Sequence, residues 1–126
     1  MKTLGEIEAE ICVAMNRFEQ THMGRGPESV HAHIVGELLI IRLQGVLTAA
    51  EQQLVQTLPL EKGRDLLKQV RRQLIETARP LLEDVVFQST GVGIISMHHD
   101  ISTVTGEEIV VFSLSDSPAF REKSKR

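Results

Sequence analysis

Neither tryptophan nor tyrosine occurs in this 126-residue chain, and its aromatic side chains are Phe18, Phe87, Phe112 and Phe120. Proteins that hold single-stranded nucleic acid stack bases on several exposed rings, so that class is disfavoured. Cysteine is almost missing as well. Cys12 stands alone, which rules out an internal disulfide and a secreted disulfide-rich scaffold. It has no basic neighbour in sequence to activate its thiol. Long apolar runs are also lacking: Leu38-Leu39-Ile40-Ile41 and Ile109-Val110-Val111-Phe112 are strand-sized, whereas a membrane-spanning helix needs about 20 apolar residues. Residues 1–10 are acidic without an apolar stretch, so no signal peptide is expected and the location read from the sequence is cytoplasmic. Positive charge is in deficit, with 14 Lys and Arg against 17 Asp and Glu. A nucleic-acid partner is therefore not expected, unless a local patch from Arg64 to Arg79 supplies one.

What is present suits one ordinary globular domain. Apolar residues make up 41% and charged residues 25%, enough to build a packed core. Thr3 and Glu6 have capping-box spacing, and Leu4, Ile7, Ile11, Ala14 and Phe18 then step by three and four, which predicts an amphipathic helix over 3–20. Gly24-Arg25-Gly26-Pro27 ends it. Residues 29–45 alternate as a β-hairpin with a turn at Gly36-Glu37. Thr48 and Glu51 repeat the capping-box spacing and open a short helix to about Thr57, with Pro59 as its stop. A helical pattern follows from 61 to 88, its stripe read as Leu67, Val70, Leu74, Ala78, Leu81 and Val85, with Leu66, Ile75, Leu82 and Val86 widening it. Pro80 lies inside and predicts a kink or break near Arg79. A second hairpin, 92–101 and 107–114, closes the chain.

The expected fold is α+β: a four-stranded antiparallel sheet from two hairpins with helices packed on one face, in the order α-β-β-α-α-β-β. Residues 1–114 form the single domain, and the polar tail 115–126 is expected to fray.

Chemistry-bearing candidates are few. Ser96, His98 and Asp100 share one face of the third strand by the period of two. A histidine beside a carboxylate suits acid–base work or ligand contact. The plainer reading makes Asp100 a turn holder through the backbone N–H groups of Ser102 and Thr103. His31 and His33 share a face of the first strand and would meet His98 only if the hairpins paired suitably. Arg25, held between two glycines, offers a guanidinium to an anion; in an exposed loop it is expected to matter little for stability. Arg64, Lys68, Arg72 and Arg79, with Arg71 beside them, interleave with Glu61, Asp65 and Glu76 as a self-compensated solvated face. No catalytic residues and no metal ligands are assigned, and no cofactor is called for. The narrow stripe of the first helix, Ile7, Ile11 and Phe18, and the second apolar face at Leu38 and Ile40 are candidate oligomer interfaces. A homo-oligomer is expected, a dimer first.

Four segments carry a resemblance: Gly5-Glu6-Ile7-Glu8-Ala9-Glu10-Ile11, Gly24-Arg25-Gly26-Pro27, Gly45-Val46-Leu47-Thr48-Ala49-Ala50-Glu51, and His98 to Glu107. In this order they resemble the MpsC family, from about residue 3 to residue 114. The family takes its name from a sodium-translocating, membrane-potential-generating system. The resemblance implies an accessory or regulatory partner, peripheral to separate transmembrane transporter subunits that handle sodium or inorganic carbon such as bicarbonate. It assigns no catalytic residues; Arg25, His98 and Asp100 match the family look and stand as ligand-binding candidates. The combined reading is a non-enzymatic accessory domain, with a small anion- or metal-binding sensor or enzyme as the alternative.

Overall fold

A computed structural model describes residues 1–57 and 60–122. Helix α1 spans Leu4–His22 and begins as its sequence dictates: the Thr3 hydroxyl accepts from the Glu6 N–H while the Glu6 carboxylate accepts from the Thr3 N–H. Strands β1 (Ser29–Val35) and β2 (Leu38–Gln44) form the first hairpin, with Gly36 at φ 59° in its turn. Helix α2 spans Ala49–Thr57, opened by the Thr48–Glu51 capping box. The stop expected at Pro59 lies outside the described residues. Helices α3 (Leu60–Thr77) and α4 (Arg79–Thr90) follow. Strands β3 (Ile94–Ile101) and β4 (Glu108–Leu114) complete the order α-β-β-α-α-α-β-β.

The single long helical pattern is thus two helices. Pro80 occupies the first turn of α4, where its missing N–H costs nothing, and the chain turns at Ala78. The phase of α3 also differs from the expected stripe. Leu67, Arg71 and Ile75 are buried, whereas Leu66, Val70 and Leu74 are exposed. An arginine holds a core position, so a pattern traced through apolar residues alone slips to the neighbouring flank.

The sheet runs β1-β2-β4-β3, antiparallel throughout, so the two hairpins join through their second strands. One face carries Ala32, Leu39, Ile41, Leu43, Met97, Ile101, Val110 and Phe112, all buried beneath the helices. Ile7, Ile11 and Phe18 of α1 belong to this same core. Their stripe is satisfied within the monomer, which withdraws the reason for placing them at an oligomer interface. Leu38 and Ile40 lie on the opposite, open face of the sheet. The tail is not frayed up to Arg121: Pro118 is buried, and the Arg121 N–H donates to the Lys2 carbonyl at 2.8 Å in a short bridge beside Thr3. Residues 123–126 lie outside the described residues.

Candidate functional site

At one end of the sheet, beyond the last residues of β2, a polar cleft of about 580 Å³ opens between three segments distant in sequence. The loop before β1 supplies Arg25 and Glu28. The floor is Gln44 and Gly45. The walls are α2, through Gln52 and Gln56, and the β3–β4 turn, through Thr103 to Gly106. Such a volume suits a small-molecule ligand. Gly45 is required here. Its φ is 66°, and a Cβ on it would lie 2.5 Å from the Glu28 side chain. The Val46 N–H donates to the Gly106 carbonyl at 3.1 Å, and the Glu28 N–H to the Gln44 carbonyl at 2.8 Å, which fastens both rims to the sheet.

Arg25 is the cleft's cation. Its Nη1 donates to the Leu47 carbonyl at 2.9 Å, while its Nη2 sits a long 3.8 Å from Glu28 Oε1. The guanidinium has five N–H donors; those on Nε and Nη2 have no close acceptor among the described residues, and with 40% of the side chain exposed they are open to a ligand. Arg25 therefore also ties down the loop after β2 through the Leu47 carbonyl, a contact that the reading of it as an exposed loop arginine did not include. Chemically, the cleft offers one bidentate cation, one carboxylate acceptor and several side-chain amides and hydroxyls. It can bind an anion that also carries a donor hydroxyl.

His98 and Asp100 lie elsewhere. They share the open face of the sheet, as the alternation of β3 requires. Asp100 accepts from Lys68 Nζ at 2.9 Å and from the Ile101 N–H at 2.9 Å, and the hydrogen bond from Lys68 is the chief reason its carboxyl is held below the usual range. It does not hold the following turn. The Ser102 hydroxyl accepts from the Thr105 N–H and its carbonyl from the Gly106 N–H. The histidines do not converge, because β1 and β3 are opposite edges of the sheet; two strands, β2 and β4, lie between His31 and His33 on one edge and His98 on the other. The helical basic face is neutralised piecemeal: Arg64 pairs with Asp65, Lys68 with Asp100 and Arg79 with Glu83. Among the described residues, no three His, Cys, Asp or Glu side chains cluster so as to hold a metal ion.

Arg71 departs furthest from the sequence reading. Instead of lying on the solvated face, it is 3% exposed and stands between Glu19 of α1 at 3.2 Å, Glu108 of β4 at 2.9 Å and Glu51 of α2 at 3.4 Å. Burial works against its charged form, but Glu108, Glu19 and Glu51 outweigh it and raise its pKa. Glu19 has the opposite balance. Its burial, followed by the charge of Glu108, pushes its carboxyl up to about 7, and its Oε2 has no hydrogen-bond partner. Glu51 also closes the α2 capping box, so this buried group fixes the helix that walls the cleft. The sequence signal was phase. Arg71 is four residues from both Leu67 and Ile75, Glu19 is four from Met15, and Glu108 alternates with Val110 and Phe112, which puts a charge on the core face of each element.

Comparison with known proteins follows the same outline. The profile of the MpsC family, described as the Na+-translocating membrane potential-generating system (MpsC), matches residues 3–116. The chain is 35% identical over 113 residues to the uncharacterized protein YbcI of Bacillus subtilis (strain 168), covering 90% of this chain and 89% of that one. No solved structure matches.

Proposed function

Given that the chain belongs to the MpsC family, we propose that it is a non-enzymatic accessory domain of a membrane system handling sodium or inorganic carbon, and that the Arg25 cleft binds its small oxyanion effector. The observation that carries this reading is the convergence at one cleft of Arg25, Gly45, Leu47 and Thr103 to Gly106, which come from three of the four segments on which the family resemblance rests. No described helix is long and apolar enough to cross a membrane; in this reading the domain acts beside separate membrane-embedded subunits, on the cytoplasmic side. Its role is to report ligand occupancy to them.

The pairing of Arg25 with Glu28 selects the ligand class. A guanidinium takes two oxygens of an oxyanion, and a carboxylate nearby favours an anion that retains an O–H to donate. Bicarbonate and hydrogen phosphate have both features; nitrate has only the first. A thermal-shift titration is expected to show stabilisation by bicarbonate or phosphate and none by nitrate, as mass action requires of a ligand that binds the native state. Arg25→Ala should abolish the response. A parent protein that ignores all three anions would remove the cleft from consideration. The membrane link is tested separately, by complementing a deletion strain with the parent or with Arg25→Ala and measuring growth under sodium load and under limiting inorganic carbon. Equal growth of the deletion and complemented strains in both conditions would remove it.

A further inference from the structure

We propose that the buried charge group is a proton switch: a proton taken up at Glu19 docks α2 onto the rest of the protein, and its loss releases the first turn of α2 and with it one wall of the Arg25 cleft. Charge and geometry carry this. Arg71 is shared by three carboxylates from three other elements, Glu19 of α1, Glu51 of α2 and Glu108 of β4. Fully ionised, the group would set three negative charges against one positive, with Glu19 and Glu108 only 2% and 1% exposed. Protonation of one acid relieves such a surplus. Glu108 is the firmly paired one: it takes Nη2 at 2.9 Å and Nε at 3.5 Å, two donors of one guanidinium fork. Glu51 has a second donor, the Thr48 N–H, and is 21% exposed. Glu19 has one contact, at 3.2 Å, to the Nη2 already given to Glu108, and its Oε2 has no hydrogen-bond partner among the described residues. It is the acid that takes the proton, in keeping with a carboxyl that burial, and then the charge of Glu108, push up to about 7.

Ionisation of Glu19 has one outlet. With Glu19 neutral, Arg71 and Glu108 are matched, and Glu51 adds an attraction to the guanidinium. With Glu19 ionised the guanidinium is oversubscribed, and Glu51 is the carboxylate that reaches water by moving. Helix α2 offers little resistance, since it buries no residue. Its other half is seated on α3 at Gly63, where a Cβ would come 2.9 Å from the Leu54 carbonyl oxygen, so the helix pivots there. The segment that moves reaches the cleft. Leu47, whose carbonyl Arg25 holds, is followed directly by the Thr48–Glu51 capping box, and α2 lines the cleft through Gln52, Val55 and Gln56. A proton on Glu19 and an oxyanion in the cleft therefore favour each other, reciprocally. That coupling rests on the oxyanion reading of the cleft; the docking of α2 does not. Beyond Arg71, the charged and titratable neighbours are His99 of β3, which is 3.4 Å from Glu76 of α3, together with Lys68, Arg72 and Asp100. On α1 itself His22 lies within one turn of Glu19, stacked on Phe18. Because docking raises the pKa of Glu19, docked α2 is favoured at low pH, and the advantage is gone once pH has passed about 7.

Hydrogen exchange of the unliganded protein tests the switch. Local opening of α2 is far more frequent than global unfolding, so protection in α2, corrected for the intrinsic effect of pH, reads its docking. It is expected to fall at least about fivefold between about pH 5 and 8, the lower end of usual coupling. Glu19→Gln should keep α2 protected throughout, with no pH dependence. If that variant fails to fold, Glu51→Gln decides: its α2 should exchange fast at every pH. Flat protection of α2 in the parent overturns the proposal, even if global stability varies with pH. So does a drop that persists in Glu19→Gln, or one that disappears in His22→Gln or His99→Gln, which would assign the proton to a histidine. The link to the cleft is read with inorganic phosphate at constant ionic strength. The ratio of parent to Glu19→Gln affinity should fall at least about fivefold over the same range; the ligand's own protonation is common to both proteins and cancels. A constant ratio overturns the link. If neither protein binds phosphate, the oxyanion reading of the cleft falls, and exchange in α2 decides the switch by itself.

Discussion

Ionised Glu19 shares one guanidinium with Glu108 and Glu51, and at 2% side-chain exposure no water offsets the excess of negative charge. Its carboxyl moves from the ordinary 4.5 to about 7, so the folded state binds a proton more tightly than the unfolded chain. The sign follows from linkage: stability contributed by the protonated group is full below about pH 4.5, is lost as pH rises toward 7, and is flat above that. The change in pKa sets an upper bound of about 3 kcal/mol. Glu19→Gln is expected to flatten this window, measured as urea unfolding free energy from pH 4.5 to 8; an unchanged slope would show that Glu19 is not its source. Glu6 and Asp100 have lowered pKa values, so their contributions have the opposite sign, fading only as pH falls below the carboxylate range. Arg71→Leu should cost about 3–5 kcal/mol, because it leaves buried carboxylates without their cation.

Helices α1, α2 and α4 and the first hairpin each begin or end through a local device, and Gly45 supplies another at the cleft. Gly45→Ala introduces both a left-handed alanine and a Cβ inside the Glu28 side chain. A loss of about 1–3 kcal/mol is expected by chemical denaturation, together with weaker oxyanion binding, since Glu28 must move. Glu28→Ala in the same background should recover the part due to the collision and leave the part due to φ. Pro80→Ala, in contrast, should change stability by less than about 1 kcal/mol, because the first turn of α4 has no use for the missing N–H. If Pro80→Ala were to fuse α3 and α4 into one helix, a gain in helical circular dichroism would reveal it.

Across the whole molecule, stability is graded. Strands β2 and β4 are central and carry Leu39, Ile41, Val110 and Phe112, each fully buried. Helix α2 buries no residue and is held chiefly by its packing on α3 and by the Glu51–Arg71 contact. Hydrogen exchange is therefore expected to be slowest in β2 and β4 and faster by orders of magnitude in α2. Glu51→Gln should accelerate exchange in α2 without altering the central strands. Uniform protection of α2 and the sheet would contradict this hierarchy. A ligand in the cleft touches α2 on one side and the β3–β4 turn on the other, so oxyanion binding should slow exchange in α2 first.

Both capping boxes, the glycine turn at Gly36, the break before Pro80 and the α+β class could be read from the sequence, because each depends on residues within a few positions of one another. Periodicity also placed His98 and Asp100 on one strand face, and Leu38 and Ile40 on the side of β2 away from the core. Which hairpin strands pair is a long-range choice. By joining β2 to β4, the fold separated His31 and His33 from His98, and it brought Arg25 to a turn some 80 residues away. The core role of Arg71 was hidden because hydrophobic patterning treats a charged residue as solvent-facing. Only the arrival of Glu19, Glu51 and Glu108 from three other elements makes its burial tolerable. Local geometry is encoded by neighbours in the chain; the cleft, the buried charge group and the open sheet face exist only once distant segments are packed together.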